Sequence, residues 1–292
     1  MPLTELPCDC CGASMQTGLR PWHFVCPGCG LERSTLEPRI NDLDTIDEID
    51  RERALAPIRD RNFGVLLAWI GHYVDARATK ARRPRLLDVG CAHGWFVEKA
   101  QATYDALGLE PDEAIATRAL ARNLPVRGGY FPQALRDDER FDAIVFNDVL
   151  EHIPDVVRVL QGCSAHLADG GIVVVNAPDC RGLFYRLSKL LCRLGRTASF
   201  DRMWQVGMPS PHLYYFDTRS LAQAAGAAGF DLIAERTLSS IVTKGLYARI
   251  RYAGNVSGLR AALIAGAITM GVPLIRLFPS DISVWVLKKR GG

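Results

Sequence analysis

The run Leu86-Leu87-Asp88-Val89-Gly90-Cys91-Ala92-His93-Gly94 joins an apolar strand to a helical pattern through an acid and two glycines. Such a strand-to-helix turn is where an α/β sheet holds a nucleotide-like cofactor. A dinucleotide site reads G-x-G-x-x-G, and its helix start receives a pyrophosphate. Here the glycines read G-x-x-x-G and an acid precedes them. A carboxylate there repels a pyrophosphate and suits a cofactor with a cationic amino-acid end and no phosphate. Glu110 closes the next apolar segment, Ala106-Leu107-Gly108-Leu109. A carboxylate at that position can accept both vicinal hydroxyls of a ribose.

A second set of reactive residues lies near the N-terminus. Cys8-x-x-Cys11 and Cys26-x-x-Cys29 form C-x2-C-x14-C-x2-C, with Pro27, Gly12, Gly28 and Gly30 supplying turns. Four thiolates on two knuckles suit one tetrahedral zinc ion, which would fold a segment too small to hold itself. A closed set of four cysteines leaves no coordination position for water or substrate, so the expected zinc is structural. Cys10 is a spare thiol in the first knuckle, and Cys8 is preferred because it keeps the paired spacing. A disulfide-bonded knuckle and an iron site of the rubredoxin type are the competing readings.

A third set is Phe141-Asp142-Ala143-Ile144-Val145-Phe146-Asn147-Asp148-Val149-Leu150-Glu151-His152-Ile153-Pro154-Asp155, followed further on by Pro211-His212-Leu213-Tyr214-Tyr215-Phe216. Taken in order, these segments resemble those of class I S-adenosylmethionine-dependent methyltransferases, from about residue 84 to 290. D-V-G-C-A-H-G is similar to the family's first motif, with Ala92 where a glycine is usual. The resemblance implies S-adenosylmethionine as cofactor, with Asp88, Gly90, Cys91 and Gly94 forming its turn and Glu110 on the ribose. Asn147 and Asp148 would lie by the methionine portion, and Tyr130 or Phe131 would pack on the adenine or in the core. It also implies in-line methyl transfer, aided by His212, His152 or Asp148 as a base. Glu151 and His152 could equally secure a loop-to-helix junction. The N-P-P-Y or D-P-P-Y that accompanies base-amino methylation is absent, which argues against that chemistry and leaves O-methylation of a small molecule or glycan as the expectation; the hydrophobic C-terminal insertion and basic lid point to a lipid-linked acceptor.

Alternating strands and helices must position these residues, and they predict a Rossmann-like, mostly parallel α/β sheet of seven strands with helices on both faces. Strands are expected at 85–89, 105–110, 125–128, 141–147, 172–176, 230–236 and 283–288. Helices are expected at about 94–102, 112–122 and 155–167, and before the first strand at 53–78, with Leu66, Leu67, Ile70 and Val74 on one side. The domain reading is a zinc ribbon over 1–36, an acidic connector and helices over 37–83, and a methyltransferase domain over 84–292. Its insertions are a basic, amphipathic lid at about 180–211 and a hydrophobic segment at about 241–280. Ala261–Ile275 is uncharged but too short for a comfortable span, so it reads as a buried or dimer-interface helix or as a lipid-touching surface.

The chain has 292 residues, a net charge of +3 and nine cysteines. That charge does not argue for nucleic acid, and in the ribbon Arg20 and Arg33 are outweighed by Glu5, Asp9 and Glu32. No signal peptide is evident, and paired cysteines without one point to a reducing compartment. The expected setting is cytoplasmic, with peripheral contact at the inner face of a membrane. A zinc-bearing ribosomal RNA methyltransferase and a non-catalytic cofactor-binding or interaction protein are the alternatives.

Overall fold

The computed structural model describes residues 6–38, 48–74, 82–241, 243, 245–253 and 256–291. The acids Asp42, Asp44 and Asp47 of the connector, and residues 75–78 of the expected first helix, lie outside the described residues.

The strands of the main sheet are β4 (Arg85–Val89), β5 (Asp105–Glu110), β6 (Val126–Gly128), β7 (Phe141–Asn147), β8 (Leu167–Pro178), β10 (Phe230–Thr237) and β11 (Ile282–Lys289). Their spatial order is β10-β11-β8-β7-β4-β5-β6. β11 runs antiparallel to both neighbours, and the pairings β4–β5, β4–β7, β5–β6 and β7–β8 are parallel. This is the expected seven-stranded, mostly parallel sheet. Ile144-Val145-Phe146 and Val173-Val174-Val175 are fully buried, as strands covered on both faces must be. The largest difference from expectation is β8, which begins five residues earlier and pairs with β7 from Phe141↔Leu167 onward.

Helices α1 (Glu48–Val74), α2 (Trp95–Ala100), α3 (Glu113–Ala121), α4 (Val156–His166) and α7 (Thr218–Ala227) cover the sheet. Leu66, Ile70 and Val74 of α1 are buried, confirming its apolar side. Asp217 caps α7 in a reciprocal capping box with Ser220. The chain leaves β4 for β5 on one side, while β7 flanks β4 on the other. Connections therefore diverge above the carboxyl ends of β4 and β7, the crevice where open α/β sheets bind ligands.

The cysteine-bearing segment builds a second sheet from β1 (Gln16–Thr17), β2 (His23–Val25) and β3 (Glu32–Ser34). It is completed by β9 (Tyr214–Tyr215), which follows His212 and pairs antiparallel with β3. Phe24 and Leu31 share one buried cluster with Tyr214, Phe216 and Trp285. The segment thus packs into the body of the protein.

The insertion after β8 forms α5 (Leu183–Arg193) and α6 (Ala198–Met203), and Tyr185, Phe200 and the following Trp204 bury against Tyr215. The hydrophobic segment forms α8 (Leu246–Ala253) and α9 (Gly258–Ile275). The expectation of a helix buried within the chain fails here: of the α9 residues only Ala261 and Val272 are buried.

Candidate active site and cysteine centre

A cavity of about 1110 Å³ opens above the carboxyl ends of the strands. Gly90, Ala92 and Glu110 line one part of it, and Asn147, Asp148, Glu151, His152 and His212 line another.

The first turn is shaped by backbone geometry. Gly90 has φ +69, and a Cβ there would lie 2.7 Å from the Val149 side chain. Ala92 also takes a left-handed φ of 46, the conformation for which glycine is the usual choice. The Ala92 amide donates to Glu110 Oε2 at 2.8 Å, and the Asp112 amide donates to Oε1 at 2.9 Å. A carboxylate offers about four acceptor sites, so these bonds orient Glu110 at the cavity wall.

Asp88 lies below the turn and is 2% exposed. Its Oδ1 has no hydrogen-bond partner among the described residues. Burial, reinforced by the Glu110 charge, pushes its carboxyl well above the usual carboxylate range. A buried polar atom without a partner is costly, and a cationic group reaching Asp88 through the turn would relieve it. Cys91 turns inward, with its side chain against Gly108. Gly94, at φ +75, precedes α2 and is packed close to Leu124. Like Asp88, neither lines the cavity; all three shape the turn from beneath.

At the end of β7, the Asn176 amide donates to Asn147 Oδ1 at 2.6 Å and to Asp148 Oδ1 at 3.2 Å. Asp148 adopts φ 59, which turns its side chain into the cavity. Protein packed around that wall raises its carboxyl pKa, and Arg59 of α1 opposes the rise.

His212 and His152, 60 positions apart in sequence, meet with ring centroids 4.8 Å apart. His152 Nδ1 lies 2.9 Å from the Pro211 carbonyl oxygen, which can only accept. Ser210 Oγ lies 3.1 Å from the same nitrogen, and Nε2 lies 3.9 Å from Glu151 Oε1. His212 Nε2 lies 2.8 Å from Nε2 of Gln205, just past α6. Beneath them Glu151 is 1% exposed, and burial, then the Asp148 charge, drives its carboxyl well above its ordinary range. Glu151, His152 and His212 offer ligand atoms within 4.8 Å of one another, close enough to share one cation.

The Cys8, Cys11, Cys26 and Cys29 sulfurs also lie within 4.8 Å of one another, the arrangement a tetrahedral thiolate site requires. The buried Glu32 of β3 ties this unit to α5. Its Oε2 accepts from Tyr185 Oη at 2.7 Å and contacts His23 Nε2 at 2.8 Å, while Lys189 donates to Oε1 at 2.6 Å. Burial disfavours the Glu32 charge, but His23 and Lys189 outweigh it and hold the carboxyl below its usual range.

Spacing alone did not single out Asn176, Arg59, Gln205 or Ser34 as site residues. Asn176 carried a weak signal, as a polar residue at the end of an apolar strand. The other three come from segments whose place is set by tertiary packing.

A family model described as a methyltransferase domain matches residues 50–235, more than half of the chain. A ubiquinone biosynthesis O-methyltransferase from Haemophilus ducreyi is 28% identical over 120 residues, covering 36% of this chain and 50% of that protein. The enzyme of the same name from Xanthomonas axonopodis pv. citri is 32% identical over 107 residues, covering 34% and 44%. The chain thus spans about half the length of the curated relatives it matches. A solved structure of a SAM-dependent methyltransferase from Archaeoglobus fulgidus superposes with a TM-score of 0.53, covering 84% of this chain and all of that one at 17% identity, which shows a shared fold. With its sheet order, its first turn and the matched residues 50–235, this chain belongs to the methyltransferase-domain family.

Proposed function

We propose that the protein transfers the methyl group of S-adenosylmethionine to an oxygen of a small-molecule acceptor, a class that includes glycans and lipid-linked molecules. The observation that carries this reading is one continuous cavity reaching from the cofactor-type turn at Gly90 to the paired imidazoles of His152 and His212. The names of the curated relatives support O-methylation.

Bound in this cavity, the cofactor would supply an electrophilic methyl group on a sulfonium. Asp88 would take its cationic amino-acid end, Glu110 its ribose hydroxyls, and Asn147 with Asp148 its methionine portion. His152 Nε2 or the His212 imidazole would accept the acceptor's hydroxyl proton. The lid residue Gln205 and the loop at Ser210 border the same cavity and would keep water out.

Cys8, Cys11, Cys26 and Cys29 are assigned to a structural zinc ion. A four-thiolate site needs reduced cysteines, which supports a reducing, cytoplasmic setting. Transfer of a tritiated methyl group from the cofactor into fractionated lysate tests the reading. Label in a small-molecule or lipid-extractable fraction supports it, and label in an RNase-sensitive fraction overturns it.

A further inference from the structure

The α8–α9 hairpin is the feature least explained by methyl transfer. α9 has a mean hydropathy of 1.7 over 18 residues, yet only 11% of it is buried. Leu259 is 75% exposed and Met270 is 80% exposed, and Leu263, Leu274, Leu277 and Phe278 are also open to solvent. A helix apolar on all sides needs an apolar environment, and the other described residues do not provide it.

Charge says what kind of environment. From Leu238 to Phe278 there is no Asp or Glu, and the charged residues are Lys244, Arg249, Arg251, Arg260 and Arg276. Arg251, Arg260 and Arg276 are exposed. The neighbouring α5 repeats the pattern. It contains no acid, exposes Leu187 and Leu190, and carries the exposed Arg186 and Arg193. Its first residues line a small cleft with Val272, Ile275 and Phe278.

We infer that the α8–α9 hairpin docks on an anionic phospholipid bilayer, with α9 in the acyl boundary and the arginines among the headgroups. A second copy of the chain would set one acid-free basic surface against another, which repels; an anionic bilayer neutralises both. A bilayer crossing is disfavoured because both ends of α9 are tied to one body. α8 packs on α1, and Pro279, four residues past the helix, accepts a hydrogen bond from the Leu183 amide. The hairpin also springs from the rim of the large cavity, since Ser240 and Ile282, which flank it, both line that cavity. Docking therefore sets the cavity mouth beside the bilayer, where an acceptor could enter from the lipid phase. This last consequence rests on the proposed methyl transfer, whereas the docking does not.

Flotation of the full-length protein with vesicles tests the inference. Vesicles of phosphatidylcholine with one-quarter phosphatidylglycerol should carry the protein, and pure phosphatidylcholine should carry about tenfold less. The Leu263→Asp/Met270→Asp double variant should lose binding while keeping its melting temperature. Arg251→Ala/Arg260→Ala/Arg276→Ala should weaken binding about tenfold or more. Absence of wild-type flotation, or flotation unchanged in both variants, overturns the inference. So does a concentration-dependent dimer that Leu263→Asp/Met270→Asp dissolves, if vesicles are not bound. Cofactor binding is read separately by calorimetry. Vesicle binding by a protein that binds no S-adenosylmethionine supports docking and overturns the proposed transfer.

Discussion

Ser34 Oγ donates a hydrogen bond of 2.7 Å to the main-chain carbonyl of His212, across 178 positions of sequence. The Ser34 amide also donates to the Leu213 carbonyl at 2.8 Å, and the Leu213 amide donates to the Glu151 carbonyl at 2.7 Å. The His212 loop is therefore held between the cysteine-bearing sheet and the turn that carries Glu151 and His152. The cysteine unit is a clamp on one loop of the candidate site, and none of its described residues 6–36 lines the large cavity.

Loosening that clamp should cost turnover more than cofactor affinity. Ser34→Ala removes the hydroxyl and leaves the His212 carbonyl short of a donor. A small misplacement of a reacting group can cost about 100-fold in rate, so kcat should fall by about tenfold or more. The dissociation constant for S-adenosylmethionine, measured by calorimetry, should stay within about twofold. Stripping the proposed zinc with a chelator should reproduce the loss and lower the melting temperature. Equal loss of cofactor affinity would place the effect on the whole fold instead.

Asp88 should titrate when the cofactor binds. Burial keeps its carboxyl protonated above the usual carboxylate range. A cationic amino-acid end favours the carboxylate, so binding lowers that pKa and releases a proton. Affinity should then rise with pH until the raised pKa is passed. Calorimetry in buffers of different ionisation enthalpy reads the released proton directly. Asp88→Asn should abolish the release and weaken binding about 10- to 100-fold, the scale of a charged hydrogen bond.

The paired imidazoles should carry the proton transfer that turnover requires. Removing a general base costs about 10²- to 10⁴-fold. His152→Ala and His212→Ala should each lose turnover while retaining the cofactor, read by steady-state rates and by calorimetry. Full turnover in His212→Ala would strike it from the candidates.

Acid stability should depend on Glu139. Arg127 bonds both of its carboxylate oxygens, at 2.7 and 3.0 Å, and holds its pKa at about 2 against an ordinary 4.5. A depressed folded-state pKa gives stability that is fully present above the unfolded value and is lost as pH falls through the folded one. Unfolding midpoints should therefore drop between about pH 4.5 and 2 in the parent protein. Glu139→Gln should flatten that drop and cost about 1–3 kcal/mol near neutrality. Urea titrations at stepped pH measure both.

Local features were legible in the sequence because local rules set them. Side-chain period, turn glycines and strand-end acids placed β4, β5 and β7 within a residue, and put Asp88 and Gly90 at one strand-to-helix turn and Glu110 at the end of the next strand. The two cysteine knuckles were equally plain, since their spacing is itself the geometry of the site. What depended on long-range packing was decided only by the tertiary structure. The meeting of His152 with His212, the strand β9 that completes the cysteine-bearing sheet and the inward turn of Cys91 all join segments distant in sequence. The same holds for α9. Its composition announced an apolar helix, but composition cannot say which surfaces the rest of the chain covers. Folding left that helix outside the core, and so turned an ordinary apolar segment into a surface that needs a partner.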